Sequence, residues 1–349
     1  MWRRWGPSST LRAAWCSPGA WCVRVSSRLP NVAEPRSSSC AALAVAHDEP
    51  LLGTASVVRS WLLLEQPGPW GADALRQSDL PHDIADTLHH GSTTHDVRVL
   101  LLRRPQARAA RFAIGEEPPT EDVADVESRE CFVARSGPGR PWMEERRLAA
   151  ARDVLTVDLA ALAAGRRAGL GTSRSEPLYL VCTNSRHDPC CGRLGRPTAL
   201  ALAAVAGDAV WECSHIGGER FAANLVCLPH GLYFGRVEPD DAPRVAAAYE
   251  RGEIELEHYR GRAGDPFVVQ AAEVFVRERH GMRGIDDLRH VGHRALGDET
   301  VEVVFAAPGG SRFEAQVRRT ADPTPRLLTC RAGQPGRPWT YSLLALHPG

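Results

Sequence analysis

Lysine is absent from this 349-residue chain: all 42 basic side chains are arginine, and 42 carboxylates balance them to a net charge of zero. A neutral balance excludes a field that would draw the protein to nucleic acid or to an anionic membrane. An all-arginine count points to GC-rich coding, so a single Arg says little about a site. No apolar run approaches the roughly 18 residues needed to cross a bilayer. The longest, Thr198 to Gly207, is Ala-rich and reads as a buried helix. The thioredoxin-type Cys-x-x-Cys is also missing, which weakens a dithiol–disulfide reading without removing it. No two carboxylates are placed in the sequence as glycoside hydrolysis would require.

What the chain does have is sulfur. Its ten cysteines lack the dense, regular spacing of a small secreted scaffold, and four of them fall between Cys182 and Cys213. That is the pattern of a ligand cluster in a reducing compartment, so a cytoplasmic protein is expected. The strand pattern Leu178 to Val181 delivers Cys182 into a polar loop, and Cys191 follows beside Gly192. A second strand, Ala209 to Glu212, delivers Cys213 and His215 into the Gly217-Gly218 turn. Alternate residues of a strand share a face, so Cys213 and His215 can both face one site if the extended backbone continues. Two strand tips carrying thiols and imidazole point to a metal or cluster site at one edge of a sheet. Cys227 reads as core, and so does Cys330, at the end of the strand pattern Arg326 to Cys330.

The rest of the chain divides into four stretches. Residues 1–39 are rich in Arg and Ser with one acidic residue and no apolar core of a secretory signal. A disordered or overcalled tail is the preferred reading and a transit peptide the alternative; Cys16 and Cys22 belong to it. Residues 40–175 read as an α+β region, with strands at Ser60 to Glu65, Val97 to Leu102, Arg111 to Ile114 and Cys131 to Ala134. An acidic loop is expected over Glu116 to Glu127, a helix over Val154 to Gly165, and a solvated helix end at His89-His90. Residues 176–282 alternate as strand, helix, strand, hairpin and helix, the order of a thioredoxin-like sandwich. Their first helix is predicted to begin at Pro197, where a missing N–H costs nothing. Residues 283–349 show short strand patterns and read as a small β-rich region. The fold class is therefore α/β. Arg220, Arg260 and Arg262 form either a positive rim for a redox partner protein or a solvated surface.

Cys182-x8-Cys191-Gly192, Cys213-Ser214-His215-Ile216-Gly217-Gly218 and Phe221-Ala222-Ala223-Asn224 together resemble the sucrase/ferredoxin-like family. The likeness is specific over residues 178–237. Looser matches extend from Gly53-Thr54-Ala55 and Gly68-Pro69-Trp70-Gly71 to Gly336-Arg337-Pro338-Trp339. The resemblance implies kinship with thioredoxin-like [2Fe–2S] ferredoxins and ligation by two Cys of the first loop and two His of an H-x-G-G-H motif. Carried over, the ligands are Cys182, Cys191 and His215, whereas Glu219 stands at the second His. A carboxylate is harder than the thiolate and imidazole that such a core prefers. Either Glu219 ligates, or Cys213 takes its place (the preferred alternative), or no cluster binds. The expected function is one-electron transfer by an iron–sulfur protein rather than catalysis, with no sucrase activity. A thiol–disulfide redox protein and a structural Zn²⁺ site of Cys182, Cys191, Cys213 and His215 are the alternatives.

Overall fold

The computed structural model describes residues 39–105, 128–137 and 139–348. Cys16 and Cys22, the predicted strand Arg111 to Ile114 and the acidic loop Glu116 to Glu127 lie outside them. The strands are β1 (Ser60–Glu65), β2 (Arg98–Arg103), β3 (Arg129–Arg135), β4 (Trp142–Leu148), β5 (Thr172–Ser173), β6 (Leu178–Cys182) and β7 (Val210–Cys213). They continue as β8 (Leu225–Leu228), β9 (Leu232–Phe234), β10 (Tyr259–Arg262), β11 (Arg289–Gly297), β12 (Thr300–Ala306), β13 (Arg312–Ala321) and β14 (Trp339–Pro348). The helices are α1 (Cys40–Ala46), α2 (His82–His95), α3 (Leu159–Ala163), α4 (Pro189–Ala206), α5 (Ala242–Glu250) and α6 (Phe267–His280). None of the helices described is long and apolar enough to cross a membrane.

β1 to β10 form one sheet in the order β10-β9-β8-β6-β7-β2-β1-β3-β4-β5, and β11 to β14 form a separate antiparallel sheet in sequence order. The large sheet joins strands from before and after residue 176, because β7 pairs with β6 on one side and β2 on the other. Its central strands β1, β2 and β6 are apolar on both faces. Leu62 and Leu64 of β1 pack beneath Ile84, Ala85 and Leu88 of α2, while Trp61 and Leu63 face the opposite layer. β6 divides likewise: Tyr179 and Val181 meet Ala199 and Leu202 of α4, and Leu178, Leu180 and Cys182 join Trp61. Each buried Leu, Ile or Val among them contributes about 1.5–3 kcal/mol.

The sheet curls. Five strand spacings separate β9 from β1, about 24 Å if the sheet were flat, yet the rings of Tyr233 and Trp61 lie 6.3 Å apart. Ser136 closes the approach, accepting from the Trp61 indole at 3.0 Å and donating to the Pro229 carbonyl at 2.6 Å. The seam between β2 and β7 is only two residue pairs long. A buried network seals it: Arg103 Nε donates to Glu212 Oε2 at 2.7 Å, and Thr183 donates to the same oxygen at 2.8 Å.

α6 lies between the two sheets. Val269, Ala272 and Val276 pack on Val303, Phe305, Phe313, Ala315 and Val317 of the small sheet. Within it, Glu273 Oε1 receives Arg277 Nε at 3.0 Å and Nη2 at 2.9 Å, and the Tyr259 hydroxyl donates to Oε2 at 3.0 Å.

Several sequence expectations shift. The helix expected from Pro197 begins at Pro189, with Asp188 as N-cap accepting from the Cys190 amide at 2.8 Å. Pro197 sits inside α4, where an interior proline typically costs about 3 kcal/mol or more. The helix expected over Val154 to Gly165 is instead a 3-10 turn, Ala151–Thr156, followed by α3. His89 and His90 lie within α2 rather than at its end. Arg326 to Cys330 is not a strand but part of the connection between β13 and β14. Arg260 is buried, donating to Asn224 Oδ1 at 2.7 Å and the Gly217 carbonyl at 3.2 Å, so it is no surface rim. Arg262 donates to the Ile285 carbonyl at 2.9 Å, and Arg220 Nε pairs with buried Glu49 at 2.7 Å.

Candidate metal centre

β6 and β7 run parallel with Cys182 opposite Cys213, so both strand tips end at one level. Beyond Cys182, the Asn184 carboxamide accepts the Arg186 and His187 amides, both at 3.2 Å. This local turn fixes the path toward the helix. The chain then enters α4 through Asp188, so Cys191 lies in the first helical turn and not in an open loop. A Cβ on Gly195 would stand 2.1 Å from the Cys182 carbonyl oxygen. Glycine there lets α4 press against the tip of β6.

Sγ of Cys182, Sγ of Cys191 and a ring nitrogen of His215 lie within 4.8 Å of one another. A second set of three, His187, His215 and Glu219, overlaps the first at His215. The two imidazoles stack with centroids 3.7 Å apart and planes inclined by 16°. Glu219 Oε1 sits 3.2 Å from His187 Nε2 and 3.3 Å from His215 Nε2. The two thiols are buried, whereas the His187 and His215 side chains keep 34% and 21% of their surface exposed. The site is therefore a line of donors, with sulfur inside and nitrogen at the edge.

The electrostatics follow that order. Contact between the two thiols drives Cys182 well below the ordinary thiol range and Cys191 well above it. Burial works to raise the Glu219 carboxyl, but His187 and His215 overcome it and hold it at about 2. Glu219 in turn raises the His187 imidazole above its usual value.

Cys213 stays outside both sets. Its thiol packs in the same core layer as Cys182 and Cys191, and burial pushes it well above the ordinary thiol range. β7 ends at Cys213, so the extended path assumed to carry Cys213 and His215 to one face does not continue. Sequence reasoning missed His187. Its signal was positional, since it lies between Cys182 and Cys191 in the loop that already held two candidate ligands. His187 Nδ1 is 3.2 Å from the Ala72 carbonyl, and a ring N–H held that way turns Nε2 toward a metal. The Gly217-Gly218 turn supports the other side. Gly218 has φ +77°, and a Cβ there would fall 2.2 Å from Arg260 Nη2.

The residues fit a soft metal group. Two thiols and two imidazoles are the donors such a group prefers. His215 Nδ1 is buried without a hydrogen-bond partner, a costly state that a bound metal ion relieves.

The thioredoxin-like [2Fe–2S] ferredoxin from Aquifex aeolicus, solved as a cysteine-to-serine variant, is similar at 17% identity over 24% of this chain and 97% of its own, with a TM-score of 0.22. No curated protein matches the chain. The family described as sucrase/ferredoxin-like matches residues 51–261, a span that contains both strand tips, the α4 N-terminus and the stacked imidazoles. On that match this chain belongs to the sucrase/ferredoxin-like family.

Proposed function

We propose that this chain is an iron–sulfur electron carrier that binds a [2Fe–2S] cluster through Cys182, Cys191, His215 and His187. The observation that carries the reading is the overlap of the two donor sets at His215, with buried sulfurs at one end and stacked, partly exposed imidazoles at the other. Such a group, when bound, takes up and releases one electron at a time, at a potential that neutral imidazole ligands raise relative to thiolates. The order β6, α4, β7 and the β8–β9 hairpin support describing this part of the large sheet as thioredoxin-like.

The chain's own residues have separable tasks. β6 and the α4 N-terminus hold Cys182 and Cys191 away from water. The Asn184 turn and the Ala72 carbonyl aim His187. Glu219 stands where the family has its second His and here bridges the two imidazoles, so it orients them. The exposed imidazole edge is where a redox partner protein would approach.

The test is an optical spectrum with iron and acid-labile sulfide content on anaerobically prepared protein. Iron and sulfide in equal amounts, lost in Cys182→Ala and His187→Ala but kept in Cys213→Ala, are expected. Zinc without sulfide in this site would replace the reading by a structural metal centre. A reversible Cys182–Cys191 disulfide without metal would replace it by thiol redox chemistry.

A further inference from the structure

A second sulfur set lies beside the first, and the proposed function does not use it. Cys40 opens α1, Cys190 stands in the first turn of α4, and Cys330 lies in the connection between β13 and β14. Their three sulfurs form a triangle with edges of 3.7 Å (Cys40–Cys190), 3.4 Å (Cys190–Cys330) and 3.4 Å (Cys330–Cys40). Asp188 is fully buried above it. Its Oδ1 accepts the Cys190 amide at 2.8 Å and its Oδ2 the Cys330 amide at 2.7 Å, while both oxygens are 3.8–3.9 Å from Cys40 Sγ.

We propose that Cys40, Cys190, Cys330 and Asp188 form a structural Zn²⁺ site, separate from the centre built on Cys182, Cys191 and the imidazoles.

Three considerations carry this. A zinc ion with Zn–S bonds of about 2.3 Å requires tetrahedral S···S edges of roughly 3.8 Å, and the triangle is close to that size. Disulfide chemistry does not account for it, because a bond at about 2.05 Å would join two sulfurs and leave the third unpaired. A buried carboxylate against three thiols is also costly unless a cation balances it. Asp188 has no ion-pair partner among the described residues, and a dication at the centre of the triangle gives it a positive partner; the thiols lose their protons on binding, so the completed shell stays net negative. Each carboxylate oxygen has a second lone pair, so the two amide bonds do not prevent ligation. Arg193 Nη2, 4.0 Å from Cys190 Sγ, offsets part of the negative charge of such a shell.

The surroundings match a closed site. Ala41 and Ala222, with Leu194 partly buried, wrap the cysteines, and Cys330 is only partly covered, which leaves an entry path. The same connection is clamped by Arg326 Nε on Glu49 Oε2 at 3.0 Å, the carboxylate whose other oxygen holds Arg220. The ion would thus tie two segments far apart in sequence to the capped end of α4.

The test is zinc content and zinc-edge X-ray absorption on the full chain purified without chelator, with iron measured alongside. One zinc per chain, bound by three sulfurs at about 2.3 Å and one oxygen, is expected. Cys40→Ser and Cys330→Ser should each reduce zinc at least tenfold and leave iron unchanged; Cys182→Ser should keep zinc and lose iron. Wild-type protein without zinc, a zinc shell of only two sulfurs, zinc retained by Cys330→Ser, or a Cys190–Cys330 disulfide in the mass spectrum would each overturn the assignment. The absorption measurement needs no variant, so it decides even if a substituted chain fails to fold.

Discussion

His187 and His215 stack face to face at 3.7 Å, although one comes from the loop after β6 and the other from the loop after β7. Both direct Nε2 at one oxygen of Glu219. Two imidazoles sharing one carboxylate on the rim of two buried thiols make His187 as much a part of the centre as the family's own motif residue.

His187→Ala is therefore expected to lose the iron, and Glu219→Gln to lower it only in part, because the amide still occupies the bridging position. His187→Cys should retain iron but shift the reduction potential negative, since an anionic thiolate replaces a neutral ring. Iron analysis and protein-film voltammetry check both. Unchanged iron in His187→Ala would remove this residue from the ligand set.

The pair Glu273–Arg277 is buried between the sheets, and truncating one partner leaves the other charge without compensation. Glu273→Ala should cost about 3–5 kcal/mol, read by urea denaturation. Glu273→Met with Arg277→Leu should cost clearly less, because the fully buried Arg277 charge goes with its partner and only Arg262, 3.5 Å from Glu273 and partly exposed, loses a neighbour. A single substitution as mild as the double one would show that the pair contributes little.

Gly218 combines a left-handed backbone with the close approach of Arg260. Gly218→Ala should lose about 1–2 kcal/mol from the backbone alone and more from displacing the guanidinium, with a fall in melting temperature. Gly252 is also left-handed, at φ +75°, but meets nothing within 4 Å, so Gly252→Ala should pay only the backbone part. Equal losses at the two positions would show that Arg260 yields freely.

His230 gives a pH dependence away from the metal centre. Burial pushes its imidazole down to about 4, and Nδ1 lies 2.6 Å from the Tyr249 hydroxyl. The unfolded chain takes up a proton near pH 6.5 and the folded one does not until about pH 4. Its stabilising contribution is therefore complete above pH 6.5 and is lost as pH falls through about 4. At its largest it amounts to about 3 kcal/mol. NMR titration of the ring should show a midpoint far below 6.5; an ordinary midpoint would refute it.

The strand tips were legible because β6 and β7 are short apolar runs that stop at polar loops, and their sulfur and imidazole content stood out. The start of α4 was not. Pro189 and Pro197 both suit a first helical turn, and only the side-chain cap from Asp188 distinguishes them. His187 was hidden by type: one His between two Cys in a loop carries no periodicity, and its aim depends on a carbonyl at Ala72, far away in the chain. The curl of the large sheet rests on contacts such as Trp61–Tyr233, which no local pattern encodes. β11 escaped notice because its residues are almost all exposed, so it lacks the buried alternation by which strands are recognised.

Neighbouring residues on an α-helix point about 100° apart, so Cys190 and Cys191 leave the same end of α4 in different directions, one toward each group of sulfurs. Removing Pro189 would move both cysteines one position along the helix, rotate each by about that angle and misdirect both thiols at once. The helix end therefore works as a two-sided key: a change in its spacing disturbs both sulfur groups, whereas a substitution within one group leaves the other in place.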